Sequence, residues 1–323
     1  MEISYLNKMK KIFYTIIIVL AAYSLRAQQA QYTQYMFNLS NYNPSYTASD
    51  SALTAFAAGR QQWAGFKDQY DETINPREIF FKLEMPFYDL NSNIGVSYQY
   101  DKLAYWKNNN LKLNYAYRHK LKQKHILSYG LALEFINTTI DFSKLYPSQD
   151  GDPILLNAPH KGNTVDLELG VNYVYYNRLY IGISGVRLLN SKLPIDHLNI
   201  EYQRMFYFNT AYNIPLNSNK RKPLIITPGF LLKTSSTSTQ VEANIIANYM
   251  NKYWAGLTYR QGDAVGLLAG INIFNFALGL SYDYSIFKGI QSASHGSPEI
   301  FIKYSYKLNP KIKKQGYYNP RYL

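Results

Sequence analysis

An all-β fold, a transmembrane antiparallel β-barrel of about fourteen strands with an ordered N-terminal arm, is predicted by three observations. Runs in which apolar and polar residues alternate fill nearly all of the chain beyond its N-terminus. The apolar face of these runs ends repeatedly in Tyr, of which there are 33, as expected of an interfacial girdle. The chain opens on a basic-then-apolar segment and has no cysteine, which fits export to an outer membrane without disulfides. A soluble sandwich also alternates. The polar face here carries charges and glycines in mid-strand, which suits a lined or plugged lumen. A mean hydropathy of −0.30 argues against a helical membrane protein and permits a barrel.

Residues 1–27 read as a secretory signal peptide. Lys8, Lys10 and Lys11 precede the apolar run Ile12 to Leu25, and Ala27 supplies the small residue at the cut. The run is short of the ~20 apolar residues that a transmembrane helix needs. Residues 28–50, "QQAQYTQYMFNLSNYNPSYTASD", form the arm. Tyr32, Tyr35, Met36, Phe37 and Tyr42 require burial. Asn38, Asn41 and Asn43 suit turns and a polar lumen. The arm is expected at the periplasmic mouth, packed in or against the barrel, with Asn43–Pro44 turning it into the first strand.

Residues 51–308 supply the barrel. Strand centres are expected near Ala55, Phe80, Tyr98, Asn114, Ala132, Gly170, Ile183, Phe208, Ile226, Asn244, Ala255, Ala269, Leu280 and Tyr304. The clearest segment is "TVDLELGVNYVYY". Val165, Leu167, Leu169, Val171, Tyr173 and Tyr175 share one face, and Asp166, Glu168, Gly170 and Asn172 the other. An even number of strands suits a single-chain bacterial barrel. With both termini periplasmic, links after even strands should be short and those after odd strands longer. The even links "LKQK", "YNR" and "MN" and the odd links Gln61–Pro76, Phe142–Asn163 and Leu188–Glu201 follow that rule. Pro86–Asn91, "IPLNSNKRK" and Gln261–Gly262 depart from it. Residues 309–323 read as a basic periplasmic tail.

The formal charge is +13. The first 27 residues hold four bases and one acid, a net +3, so +10 remains for the rest. Much of it lies in "NKRK" and in the tail from Lys303, which adds Lys307, Lys311, Lys313, Lys314 and Arg321. Anchoring near lipid phosphates and docking to an acidic periplasmic partner both fit this charge. Nucleic acid does not fit a secretory route.

His119, His125, His160, His197 and His295 are not spaced for a metal. No Ser–His arrangement and no phosphate-binding glycine loop stands out, so neither an enzyme nor a cofactor is expected.

Several phrases together resemble one family. "QYTQYMFNLSNYNPSYTAS" is similar to a Gln-x-x-Gln-Tyr, Met-Phe-Asn, Asn-Pro-Ala-Tyr-Ala-Gly N-terminus, through Asn43, Pro44 and Tyr46. "AAGRQQWAGF" resembles an Arg-x-Gln-Trp-x-Gly-Phe signature in Arg60, Gln62, Trp63, Gly65 and Phe66. "LNYAYRHKL" resembles a Tyr-Ala-Tyr strand. "YWAGLTYRQGDAVGLLAGINI" resembles a late block with Trp254, Gly256, Tyr259, Arg260, Asp263 and Gly270, and "LGLSYDYS" a strand with Tyr282 and Asp283. The family is the PorP/SprF-like membrane proteins of Bacteroidetes type IX secretion and gliding motility. The chain departs from it at Ser45 and Ser49, where Ala and Gly are usual, and at Pro298, where the family tends to read Ser-His-Glu.

The resemblance implies a non-enzymatic outer-membrane component that helps large adhesin-type clients reach, or stay on, the cell surface by protein docking. Its implied partners are outer-membrane lipids, the secreted client and the periplasmic machinery. The residues matched to the family motifs are contact candidates, and barrel-rim packing is an equal reading of Arg60, Gln62 and Trp63. The alternatives are an outer-membrane channel for small solutes and a soluble periplasmic β-protein.

Overall fold

The computed structural model describes residues 31–68, 73–141, 160–195, 198–217 and 221–308. The expected signal peptide, the basic tail, His197 and most of Phe142–Asn163 lie outside the described residues.

The strands are β1 (Leu53–Gln61), β2 (Arg77–Phe87), β3 (Ser92–Leu103), β4 (Trp106–Lys122), β5 (His125–Ile140), β6 (His160–Tyr175) and β7 (Leu179–Val186). A hairpin follows, β8 (Lys192–Ile195) with β9 (Leu198–Glu201). Then come β10 (Met205–Tyr212), β11 (Ile214–Pro215), β12 (Leu224–Ser235), β13 (Thr239–Tyr249), β14 (Tyr253–Arg260), β15 (Ala264–Ile273), β16 (Phe276–Ser285) and β17 (Ser297–Tyr306).

The large sheet has fifteen strands, one of which, β11, is a two-residue segment paired only with β12, leaving fourteen staves. Each stave pairs antiparallel with its sequence neighbours. The ring closes through β1 and β17, from Leu53↔Tyr306 to Arg60↔Glu299, while β10 pairs with both β7 and β12. Closure leaves no unpaired sheet edge, the condition for a β-structure to span lipid. All fourteen expected strand centres fall on staves. The β8–β9 hairpin is the addition. It interrupts what the alternation presents as one long link.

Side-chain parity follows the alternation. On β6, Asp166, Glu168 and Asn172 are buried inside, while Val165, Leu169, Val171 and Tyr175 are exposed outside. Tyr117, Tyr129, Tyr175, Tyr249, Tyr253 and Tyr306 circle the outside at the end that holds both termini. Tyr259, Tyr282 and Tyr284 lie toward the other end. These are the two aromatic levels of an outer-membrane barrel. The terminal end has mostly tight links, such as Asn275 beside Phe274 and the turn at Tyr176, so it is the periplasmic end. The rule bends at two further places, one of them the three-residue outer link Ser236–Ser238 between β12 and β13. The other, the outer link between β3 and β4, is only Ala104–Tyr105.

The core lies inside the barrel and is built around the arm. Three short 3-10 turns, Tyr35–Phe37, Leu39–Asn41 and Pro44–Tyr46, carry the chain through the lumen. Gln31 sits in the outer half near Gln99 and Asp101. Ala48 donates its N–H to Glu84 near the periplasmic mouth. The arm therefore threads the lumen rather than resting at the periplasmic mouth. Asn43–Pro44 is not the turn into β1. Asn43 accepts from the Ser45 N–H and starts a 3-10 turn, with the fixed φ of Pro44 at its first position. The reversal comes later, where Ala48 and Ser51 take positive φ.

Two apolar groups hold the arm. Tyr32 and Phe37 pack against Phe56, Phe80, Trp254 and Phe301, with Phe37 4.4 Å from the Trp254 ring. Tyr35 and Tyr42 pack with Val186, Tyr207 and Leu231. The inner face is thus aromatic where the arm is aromatic. On the β5–β6 pair the arm lies directly on strand backbone, its own backbone over Gly130 and the Asn43 side chain over Gly170. Gly130 faces Gly170 across the ladder. A Cβ on Gly130 would stand 2.0 Å from the Ser45 nitrogen, and one on Gly170 2.0 Å from Asn43 Oδ1.

Gly130→Val and Gly170→Val are therefore expected to push the arm off its seat at a cost of about 1–3 kcal/mol. The temperature at which the folded band shifts on a gel should fall, and the arm should become open to protease added to the purified protein.

Candidate functional site

Arg60 on β1 and Arg260 on β14 both point inward, because each falls on the polar parity of its strand. Each also faces a glutamate directly across the ladder, Arg60↔Glu299 and Glu242↔Arg260. Arg60 Nη2 donates to Asp283 Oδ2 at 2.9 Å and Nη1 to Glu299 Oε2 at 3.0 Å. Arg260 Nη1 lies 3.0 Å from Asp263 Oδ2 and 3.4 Å from Asp283 Oδ2, and its Nε 3.3 Å from Glu242 Oε2. Both guanidinium groups are almost wholly buried. Arg is suited to this role, since its planar fork binds two carboxylates at once without shedding its charge.

The arm enters this network directly. The Thr33 hydroxyl donates to Asp283 Oδ2 at 2.5 Å and accepts from Arg60 Nη1 at 2.5 Å. The Thr33 and Gln34 N–H groups donate to the two oxygens of Glu299, at 2.8 and 3.1 Å. A buried backbone segment outside any sheet needs such partners, and lumen side chains supply them along its length. Ser184 donates to the Tyr42 carbonyl at 2.7 Å, Asn172 to that of Ser45 at 2.8 Å, and Lys112 to that of Asn41 at 3.2 Å. Asn43 Nδ2 donates to the carbonyls of Val171 and Ile183. Asn209 donates to the Tyr46 hydroxyl at 2.8 Å, and Asn244 to that of Tyr35 at 2.6 Å.

Burial drives the ionisation of the Tyr46 phenol up to about 12, partly opposed by the Asn209 hydrogen bond. Burial likewise pushes Tyr32, Tyr35 and Tyr42 well above the ordinary phenol range. All four arm phenols stay neutral at physiological pH. Where the arm leaves the barrel, Asp50 meets Lys303 at 2.7 Å. Burial raises the Asp50 carboxyl and that lysine more than offsets it, so its pKa is lowered.

The sequence candidates divide accordingly. Arg60, Arg260, Asp263 and Asp283 come together in the network. Asn43, Pro44 and Tyr46 form the arm's inner seat. Trp254 is buried between Phe37 and Phe301, away from any outer surface. Gln62, Trp63 and Phe66 lie at the outer rim. Gln62 accepts from Asn75 Nδ2, the Trp63 N–H donates to Ser297 Oγ, and the Trp63 and Phe66 rings touch edge-on. Tyr259 and Tyr282 point outward to the lipid face, where the Tyr282 hydroxyl donates to the His295 carbonyl. Glu242, Glu299 and Thr33 are network members that motif matching passed over. For Glu242 and Glu299 inward strand parity was the available signal; Thr33, in the arm and outside any strand, gave none. Among the described residues no group of three His, Cys, Asp or Glu side chains is arranged to hold a metal.

A family model described as "Type IX secretion system membrane protein PorP/SprF" matches residues 24–304. The chain belongs to that family. Its Arg60 and Arg260 blocks, far apart in sequence, thus meet on one arm residue. No curated protein matches the chain. Among solved structures, it is similar to the CymD monoaromatic hydrocarbon channel, with a TM-score of 0.51 at 11% identity over 88% of this chain and 95% of that one. A Pseudomonas aeruginosa FadL homologue gives 0.47 at 9% identity over 83% and 93%. The CymD likeness is one of fold, that of an outer-membrane barrel. With the family, it assigns this PorP/SprF protein to the outer membrane.

Arg60→Met leaves Glu299 buried without its cation and Asp283 with Arg260 alone, and is expected to cost about 3–5 kcal/mol. Arg60→Lys keeps the charge but not the fork and should cost less. Thermal unfolding of the purified protein in detergent measures both.

Proposed function

We propose that this PorP/SprF protein acts in type IX secretion and gliding motility by docking other proteins, assisting the secretion or surface attachment of large adhesin-type clients. The observation that carries this reading is the filled lumen. The arm from Gln31 to Ala48 occupies the barrel interior and is bonded to staves all around it. A barrel so filled has its outer and periplasmic rims left for work, which favours docking over conduction of small solutes.

The two rims differ in character. The outer rim bears the larger links, including residues 62–76 with Gln62, Trp63 and Phe66 and the β8–β9 hairpin. These are the proposed client face. At the periplasmic rim Lys122, Lys124, Arg178, Arg221, Lys222 and Lys252 are exposed on neighbouring links from β4 to β14. Among the described residues no acid lies on those links. Cations gathered on one rim suit an acidic surface, and the periplasmic machinery is the proposed partner there. Export by the signal peptide at residues 1–27 is part of the same proposal. The arm's place in the lumen gives no support to solute conduction, and CymD's printed function belongs to CymD.

Deletion of the gene is expected to lower surface display and secretion of an adhesin client, measured by antibody labelling of whole cells and of the medium. Reversing Lys122, Lys124 and Arg178 to Glu should reproduce the loss with the barrel still in the outer membrane. Unchanged adhesin levels in the deletion strain would exclude the role.

A further inference from the structure

Above the arm, the described residues of the outer half of the lumen line a cup of about 720 Å³, within the ~300–1,000 Å³ range of small-molecule sites. The arm residues Asn41 and Tyr42 help form its floor, and β3, β4, β5, β12 and β13 contribute walls. Arg187 and Tyr202 flank the β8–β9 hairpin on the remaining side. The Arg187 guanidinium lies 4.6 Å over the Tyr202 ring, and the Tyr202 hydroxyl meets Thr138 Oγ1 at 2.7 Å. Leu193 of the hairpin packs on Ile140. The hairpin is thereby fixed at the cup's edge.

We propose that this cup binds a neutral oligosaccharide. Each of its cations stands beside a carboxylate, and Asp101 is a further carboxylate in the lining. Lys112 pairs with Glu168 at 2.7 Å, Arg187 with Glu134 at 3.7 Å, and Lys233 with Glu242 at 3.6 Å. Each cation in the wall therefore has a carboxylate mate, and an anionic ligand would have to compete for it. What the cup leaves unmatched is hydrogen-bonding capacity of both kinds. Asn110 Oδ1, Glu168 Oε2, both amide atoms of Gln240, Arg187 Nε and Lys233 Nζ are buried with no hydrogen-bond partner among the described residues. Leaving such groups unsatisfied is costly, so a ligand that satisfies them is favoured. Hydroxyl groups donate and accept, and so match an amide and a carboxylate alike. Trp106, Tyr202 and Tyr207 add aromatic surface to the lining, against which the C–H face of a sugar ring can lie.

An extended peptide is less well served. It would bind through a free sheet edge; β3, β4, β5 and β12 are each paired on both sides along the cup, and the β8–β9 hairpin at its edge offers strands of only four residues. The ion pairs also fix Lys112, Glu134 and Glu168 in place before any ligand arrives, and such preorganisation lowers the cost of binding.

The test is isothermal titration of the full chain, in lipid nanodiscs, with maltotriose, cellotriose and chitotriose, and with N-acetylated, C-amidated Gly-Ser-Gly. At least one trisaccharide is expected to bind saturably, with the capped peptide silent. Gln240→Leu and Asn110→Leu should each weaken that binding about tenfold, with heat-modifiable gel mobility unchanged as the check on folding. No saturable binding by any trisaccharide up to about 10 mM would overturn the proposal. So would binding unaltered in both variants, or binding by the peptide alone.

Discussion

Two guanidinium groups share the Asp283 carboxylate inside the lumen, and the Thr33 hydroxyl of the arm sits between them. Much of the remaining structure depends on this contact. Arg60 and Arg260 come from strands at nearly opposite ends of the sequence, and Asp283 and Glu299 from the last two staves. A buried charge is tolerated only when it is paired and hydrogen-bonded. The network is therefore complete only when the barrel has closed through β1 and β17. The arm adds N–H groups from Thr33 and Gln34 to Glu299. Arm seating and barrel closure are thus satisfied by the same side chains.

The filling of the barrel follows from the same constraint. An irregular segment cannot be buried unless its backbone groups find partners, and a lumen lined with Asn, Ser, Lys and Glu provides them. The aromatic inner patch of Phe56, Phe80 and Phe301 supplies apolar contact where the arm presents Tyr32 and Phe37. Polar and apolar regions of the lumen each face matching residues of the arm. Gly130 and Gly170 remove the side chains that would otherwise hold the arm off the strands. The proposed docking role and the proposed sugar cup both rest on this filling, which leaves the rims and the outer half of the lumen as working surfaces.

The staves were legible because a half-buried strand has a strict period of two. Every expected centre, from Ala55 to Tyr304, lies on a stave. The arm's burial was legible in its aromatic content, and its path was not. Pro44 reads as a turn into a strand, but its 3-10 turn is held by Asn172 and Asn209, partners well over a hundred residues away. Within the candidate site, family motifs marked Arg60, Arg260, Asp263 and Asp283. Those motifs could not say that the four converge, because convergence is a property of ring closure. Trp254 was marked as a contact candidate, yet parity turns it inward onto Phe37. Glu299 passed unnoticed beside the Pro298 departure, although its inward parity on β17 was readable from the alternation. The β8–β9 hairpin is four residues a side, too short for periodicity to separate from a loop.

A seated arm that seals the lumen should block ions. Single-channel recording in planar bilayers tests it most directly, using the full chain purified under conditions that preserve its folded gel mobility. No steady conductance is expected from the wild-type protein. Stable open steps from the folded wild-type protein, with the arm still resistant to protease, would contradict it.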